Sequence, residues 1–228
     1  MAKSKTLRVK VWGENACFTR PEMKVERVSY DVMTPSAARG ILEAILWKPA
    51  ISWRIERIDV LNEIRWQSVR RNELGSKIPL ETVNKAMKEG KGSLALFIEE
   101  ERQQRAGLFL RDVAYVIHAH FSLSDRKGPA DNIKKFEEMF ERRISKGQCH
   151  HFPVMGNREF PAYFAPADDT ERPLPVDRDL GFMLYDMEFG VWDENSSDYE
   201  SARPLFFRAQ LQRGSMVVPA WDSAEVLG

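Results

Sequence analysis

The first sixty residues constrain the fold most. Leu7, Val9 and Val11 alternate with Arg8, Lys10 and Trp12, the period of two that marks a strand with one buried face. A basic loop follows from Thr19 to Ser29, and then Thr34-Pro35 supplies an N-cap and a preset first helical position. Ala38, Ile41, Leu42 and Ile45 recur at i, i+3, i+4 and i+7, so an amphipathic helix is predicted to end near Trp47, before Pro49. Ile51, Trp53 and Ile55 then alternate with Ser52, Arg54 and Glu56 as a second strand.

A strand, helix, strand opening without a glycine-rich first turn disfavours a dinucleotide-binding fold and points to a ferredoxin-like, RRM-type unit. Val113, Tyr115, Ile117, Ala119 and Phe121 share one face of a later uncharged strand, which places His118 and His120 together on the other face. Ile133, Phe136, Phe140 and Ile144 form a helical stripe predicted to run from about Ala130 to Lys146 and to stop at Gly147. Beyond Gln148 the texture becomes strands and turns. Asp179 to Phe189 reads as one strand, and Leu205 to Leu211 as another, paired through Arg213-Gly214 with Met216 to Val218. The acidic stretch from Asp193 to Glu200 reads as a mobile loop. The fold class is therefore α+β, with a ferredoxin-like domain over residues 1–147 and a small antiparallel β-rich domain over residues 148–228.

A hydrophobic content of 43% excludes global disorder, and no run approaches the roughly 18 uncharged apolar residues of a membrane helix. Residues 1–10 carry four Lys/Arg without an apolar core behind them, so no signal peptide is expected and the reading is a soluble, cytoplasmic protein without a membrane partner. Cys17 and Cys149 lie far apart, as in a reduced compartment. The net charge is zero, but residues 1–160 hold 29 basic against 21 acidic side chains, whereas residues 161–228 hold 5 against 13. The halves thus carry +8 and −8. Either a basic face meets nucleic acid and the acidic remainder meets protein, or the charges are scattered and solvated.

Several ordered runs carry a resemblance. They are Val9-Lys10-Val11-Trp12-Gly13, Ala16-Cys17-Phe18-Thr19-Arg20-Pro21-Glu22, the segment from Ser29 through Thr34-Pro35 to Ile41, and Trp47-Lys48-Pro49. Val69-Arg70-Arg71-Asn72-Glu73, Arg102-Gln103-Gln104-Arg105-Ala106, Arg142-Arg143 with Lys146-Gly147-Gln148, and Gly156-Asn157-Arg158-Glu159-Phe160 continue it along the chain. Together they resemble the type I-C CRISPR-associated Cas family five protein, subtype d. The resemblance implies a metal-independent endoribonuclease that cuts CRISPR precursor RNA in each repeat and stays on the 5′ handle. It also implies a place in the Cascade surveillance complex, beside the large subunit and the repeated backbone subunit, with target DNA reached through the assembly. No cofactor is implied.

Such cleavage needs a base or an oriented 2′-hydroxyl, an acid for the leaving oxygen and a cation for the phosphorane charge. The family pattern has a Tyr or His before the aromatic-Lys-Pro motif and a Lys-His pair at the start of the later helix. Here those places hold Leu46, and Lys135 followed by Phe136. Leu46 and Phe136 cannot transfer protons, so either the site is remodelled or cleavage is lost. Lys135 is the retained catalytic candidate, or else a solvated helix lysine. His118, His120 and Tyr30 are the further catalytic candidates, and half-buried structural residues are the alternative for the histidines. Candidate RNA contacts are Arg20, Lys24, Arg27, Arg39, Lys48, Arg70, Arg71, Arg105 and Arg158. Trp12, Phe18 and Trp47 either stack unpaired bases or pack in the core, and Trp47, ending an apolar helix, reads as core. Cys149-His150-His151 is a poor zinc set, because adjacent side chains diverge, and no metal site is expected. No P-loop, His-Glu-x-x-His helix or nucleophile elbow is present.

Overall fold

The structure is a computed structural model and describes residues 3–23, 25–92, 94–190, 192–193, 198–199 and 201–228. Strand β1, Leu7–Ala16, buries alternate residues at its start, as its period of two requires. Helix α1, Pro35–Ile45, opens on Thr34, whose side chain accepts from the Ala37 N–H, and ends where Leu46 turns extended ahead of Pro49. Strand β2 is Ile51–Val60, followed by β3, Arg65–Leu74. Two short helices, α2 (Leu80–Glu89) and α3 (Ile98–Glu101), lead into β4, Arg102–Leu123, which is 22 residues long. Helix α4, Ile133–Lys146, starts at the first residue of the apolar stripe, three residues after the expected Ala130, because the Asn132 side chain caps it by accepting from the Lys135 N–H. Gly147 closes α4 at φ 63°, a left-handed conformation suited to glycine.

The remaining strands are β5 (Tyr163–Pro166), β6 (Arg178–Phe189), β7 (Trp192–Asp193), β8 (Asp198–Tyr199), β9 (Ala202–Leu211) and β10 (Ser215–Val217). The main sheet has the order β10-β2-β4-β1-β5, and β3 pairs with the first half of β4. Its pairings are all antiparallel. Asp112, at φ 54°, marks the point where the neighbour of β4 on one side changes from β2 to β3. Beyond Leu110, where β1 ends, β3 and β4 continue as an arm. Sequence periodicity misses β3 because Arg65, Gln67, Ser68 and Arg70 are exposed and the strand has no continuous apolar face.

The expected hairpin between 205–211 and 216–218 is not formed. Strand β9 pairs with β6, and only the bridge Gln212–Ser215 spans the Arg213-Gly214 turn. Strand β10 instead joins the open edge of β2, with Met216 fully buried. At Gly214, φ 77°, a Cβ would stand 2.1 Å from the Leu174 carbonyl oxygen, so the turn depends on glycine to lie this close to the neighbouring backbone. The expected mobile acidic loop from Asp193 to Glu200 falls mostly outside the described residues, apart from the β7–β8 pair.

Helices α1 and α4 cover one face of the main sheet, and the β6–β9 pair packs on α1. This arrangement, helices on one face of an antiparallel sheet, is α+β. Trp53 anchors the core, with ring centroids 5.3 Å from Phe121 and 4.8 Å from Phe140. Among the described residues no helix is long and apolar enough to cross a membrane. Phe140→Ala should destabilise the protein by about 3–5 kcal/mol, because it opens a cavity against Trp53 that cannot collapse fully. Urea unfolding measures this, and a loss below about 1 kcal/mol would place Phe140 outside the core.

Candidate nucleic-acid interface

The end of α1 and the start of α4 meet at one rim of the sheet. Leu46 is fully buried, its carbonyl accepting from Trp53 Nε1 at 3.1 Å. The chain leaves the helix at Leu46 with φ −142° and ψ 100°, and the next side chain turns outward. Trp47 is 54% exposed, which corrects the expectation that it packs in the core. Lys48 is also exposed, with no carboxylate within 4 Å among the described residues. On α4, Phe136 is buried against Phe121, while Lys135 points outward, its Nζ 2.8 Å from Asp131 Oδ1. Lys135, the Gly128 N–H and, more weakly, Lys48 hold the Asp131 carboxyl below the usual range. Lys135 thus pairs with Asp131, and Lys48, 87 positions earlier in the sequence, adds a weaker charge effect on the same carboxyl.

Three of the arginine candidates converge elsewhere. Arg27 lies 3.2 Å from Glu73 and 3.9 Å from Glu159, Arg71 donates to Glu159, and Arg105 lies 3.9 Å from Glu73. The Arg71 guanidinium also sits 4.8 Å over the Phe109 ring. Gly156, at φ 85°, lets the 155–160 turn approach the backbone of Cys17, where a Cβ would stand 2.0 Å from the carbonyl oxygen. That approach places Arg158 and Glu159 beside the basic loop. Arg70 and Arg158 are exposed and carry no carboxylate partner among the described residues. The Arg20 guanidinium lies 4.5 Å over the Tyr30 ring and bonds Asp31 at 3.2 Å. Arg39 forms a fork with Asp186 at 2.6 and 2.8 Å and a further bond to Glu43 at 2.8 Å. Burial opposes its charge, but the two carboxylates outweigh that and raise its pKa. Lys24 lies outside the described residues.

Tyr30, His118 and His120 stand apart from Lys135. Tyr30 is 1% exposed, its hydroxyl accepting from the Leu184 N–H at 3.2 Å, and burial raises its pKa. It precedes α1, whereas Lys48 follows it, so the helix separates them by ~16 Å. His118 and His120 alternate with the core residues of β4, which puts them on the sheet face away from α4. His118 is buried with Nε2 2.7 Å from Asp59 Oδ2, and Arg57 Nη2 lies 3.0 Å from the same nitrogen. Asp59 also accepts from Ser215 Oγ at 2.7 Å, tying β10 to β2. His120, partly buried, lies 2.7 Å from Glu56. Phe18 is buried, whereas Trp12 is 37% exposed and stacks on Tyr163 with centroids 6.0 Å apart. Tyr163 was missed because its neighbour exists only once β5 pairs with β1. Among the described residues no three His, Cys, Asp or Glu side chains gather to hold a metal, and His150 and His151 simply pack together at 4.3 Å.

With this geometry in view, the family can be settled. The Cas_Cas5d model, described as "CRISPR-associated protein (Cas_Cas5)", matches residues 6–219. The chain belongs to this family. A Cas5d relative from Mannheimia succiniciproducens, named CRISPR pre-crRNA endoribonuclease, is 53% identical, covering 96% of this chain and 97% of that protein. A second Cas5d of the same name, from Thermus thermophilus, is 45% identical over 94% of this chain and 91% of its own length. A crystal structure of a CRISPR-associated protein superposes with TM-score 0.68 at 24% identity, covering all of this chain and 99% of that one. A functionally uncharacterised protein from Streptococcus mutans gives TM-score 0.67 at 20% identity, with both chains covered in full. These two structures establish a shared fold.

Burial would raise the Asp59 carboxyl, but the His118 and Ser215 hydrogen bonds and the Arg57 charge lower its pKa below the ordinary range. A lowered folded-state pKa adds stability that is complete above about pH 4 and is lost as pH falls through the folded value. Asp59→Asn should therefore be about 1–3 kcal/mol less stable than the parent at neutral pH. The gap should close in acid, and urea unfolding from pH 7 to pH 2 tests it; a constant gap would contradict the assignment.

Proposed function

We propose that this protein is a CRISPR repeat endoribonuclease, which cuts precursor RNA without a metal and keeps the 5′ handle. The observation that carries the reading is 53% identity along nearly the whole chain to a pre-crRNA endoribonuclease. The paired cations Lys48 and Lys135 add a physical reason. In the reaction the 2′-oxygen forms a bond to the adjacent phosphorus, the bond to the 5′-oxygen breaks, and a proton moves from the first oxygen to the second. Extra negative charge collects on the phosphorane between these events, and Lys135, with Asp131 holding its ammonium in place, is assigned to neutralise it. His118 and His120 lie on the sheet face away from Lys135 and Tyr30 is buried, so none of the three is assigned the proton transfer in a reaction at Lys135.

The order β2-β4-β1-β5, with α1 after β1 and α4 after β4, supports reading the core as ferredoxin-like. Under this reading residues 1–147 form the RNA-handling domain, and residues 148–228 form a β-rich domain whose strand β5 completes the ferredoxin-like sheet and whose strand β10 extends it at β2. The proposal extends to membership in a Cascade complex, with contacts to its large and backbone subunits and access to target DNA, and to a cytoplasmic location; the family match supports it. A second reading is a handle-binding, assembling subunit that does not cut. The burial of Leu46 and Phe136 favours it, because the rim where the family pattern places its proton-transfer groups presents neither a phenol nor an imidazole there.

One experiment separates the two. Purified protein with a labelled CRISPR repeat RNA in EDTA should cut the ordinary repeat and leave one with a 2′-deoxy substitution at the cut site intact. Tight binding with neither RNA cut would establish the assembly role. In a cutting protein, Lys135→Ala should lower the single-turnover rate about 100-fold while changing affinity less than about threefold. Equal loss of both would make Lys135 a phosphate anchor.

A further inference from the structure

A cavity of about 670 Å³ opens beside the lysine pair, between the end of α1, the start of β2, the turn after β4 and the end of β6. That volume is ample for one nucleotide. Its lining includes Trp47, Lys48, Arg54, Arg126 and Trp221. Arg39 also lines it but is engaged by Asp186 and Glu43. Lys48, Arg54 and Arg126 have no carboxylate within 4 Å among the described residues, and Asp125 is the lining carboxylate left to oppose them. The Arg54 guanidinium is already ordered. It lies 4.7 Å over the Trp221 ring, and Nη1 donates to the Trp53 carbonyl at 3.3 Å, leaving the rest of its fork without an anion. Opposite charge preference marks the second exposed tryptophan. The cavity at Trp12 and Tyr163 is lined by Glu14, Asp112, Asp168 and Glu171, which repel phosphate.

An exposed indole among unpaired cations is the combination that holds single-stranded nucleic acid, through stacking for the base and charge for the backbone. We propose that this cavity holds one unpaired nucleotide of the bound RNA, its base against Trp47 and its flanking phosphates on Arg54 and Arg126. Trp221 is a positioning residue that holds the Arg54 guanidinium over its ring at the cavity wall. The inference rests on the RNA-processing reading and adds to it a contact in a cavity that Lys48 lines and Lys135 does not.

The test is equilibrium binding of the full chain to a labelled single-stranded CRISPR repeat RNA across a salt series. Trp47→Ala should weaken binding about tenfold and leave the salt slope unchanged. Arg54→Ala should weaken it similarly and reduce the slope of log affinity against log salt by about 0.7, the value for one phosphate contact on a single strand. Trp221→Ala should mimic Arg54→Ala, the double variant should be no weaker than either, and Trp221→Phe should restore affinity by restoring a ring under the guanidinium. Arg208→Ala, which removes an exposed arginine paired with Asp179 on β9, serves as the charge control. Wild-type affinity and slope in both Trp47→Ala and Arg54→Ala overturn the inference while the RNA reading stands, even where those variants lose a protein partner. Failure of the parent chain to bind repeat RNA overturns both. If Arg54→Ala does not fold, the exposed Trp47 and Arg126 positions decide.

Discussion

The side chain of Trp53 fixes the geometry on which the rest depends. It is fully buried between Phe121 and Phe140, and its one polar atom is satisfied by the Leu46 carbonyl. A buried indole N–H without a partner would cost about 1–3 kcal/mol, so the last turn of α1 and the start of β2 are locked in register. Arg143 of α4 adds a second hold by donating to the Ile45 carbonyl. These contacts determine that Leu46 faces the core, that Trp47 and Lys48 face solvent, and that α4 begins close to the end of α1, with Lys135 bonded to Asp131.

The long strand β4 connects this rim to the basic side of the molecule. Its second half is the middle of the main sheet, paired on both sides, and its first half leaves the sheet with β3 as an arm. The change of partner at Asp112 lets one strand serve both regions. Arg71 and Arg105 lie on the arm, yet they meet Arg27 from the loop after β1, held around Glu73 and Glu159. The molecule thus has a basic region at the root of its arm and a second one at the rim of its core.

Charge pairing separates these cations by what they can still do. Arg39 closes a partly buried fork on Asp186, and removing either partner would strand a charge, so it works within the fold. Arg20, Arg27 and Arg71 are shared with carboxylates and aromatic rings. Lys48, Arg70, Arg158 and Arg126 have no such partners among the described residues, and Arg54 has the Trp221 ring but no carboxylate, so these side chains are left open to a ligand. A count of basic residues in the sequence cannot make this distinction, because pairing depends on distances across strands far apart in the chain.

Periodicity alone determined β1, α1, β2, the core half of β4 and α4, because each buries one face and a buried face imposes its period on the residues. The cap at Thr34 and the stop at Gly147 were legible for the same local reason. Strand β3 was not legible, since an exposed arm needs no apolar alternation, and β10 was assigned the wrong neighbour because a turn specifies direction but not which open edge lies beyond it. The replaced positions Leu46 and Phe136 were visible as residues, and the burial of Phe136 followed from helical phase, whereas Leu46 is already extended and is turned inward by tertiary contacts. Only the tertiary structure decided that Tyr30, the two histidines and Lys135 stand in different places, and that Trp47 faces outward. Those outcomes depend on which sheet face a helix covers and where a neighbouring indole bonds, and such long-range packing leaves no local pattern in the sequence.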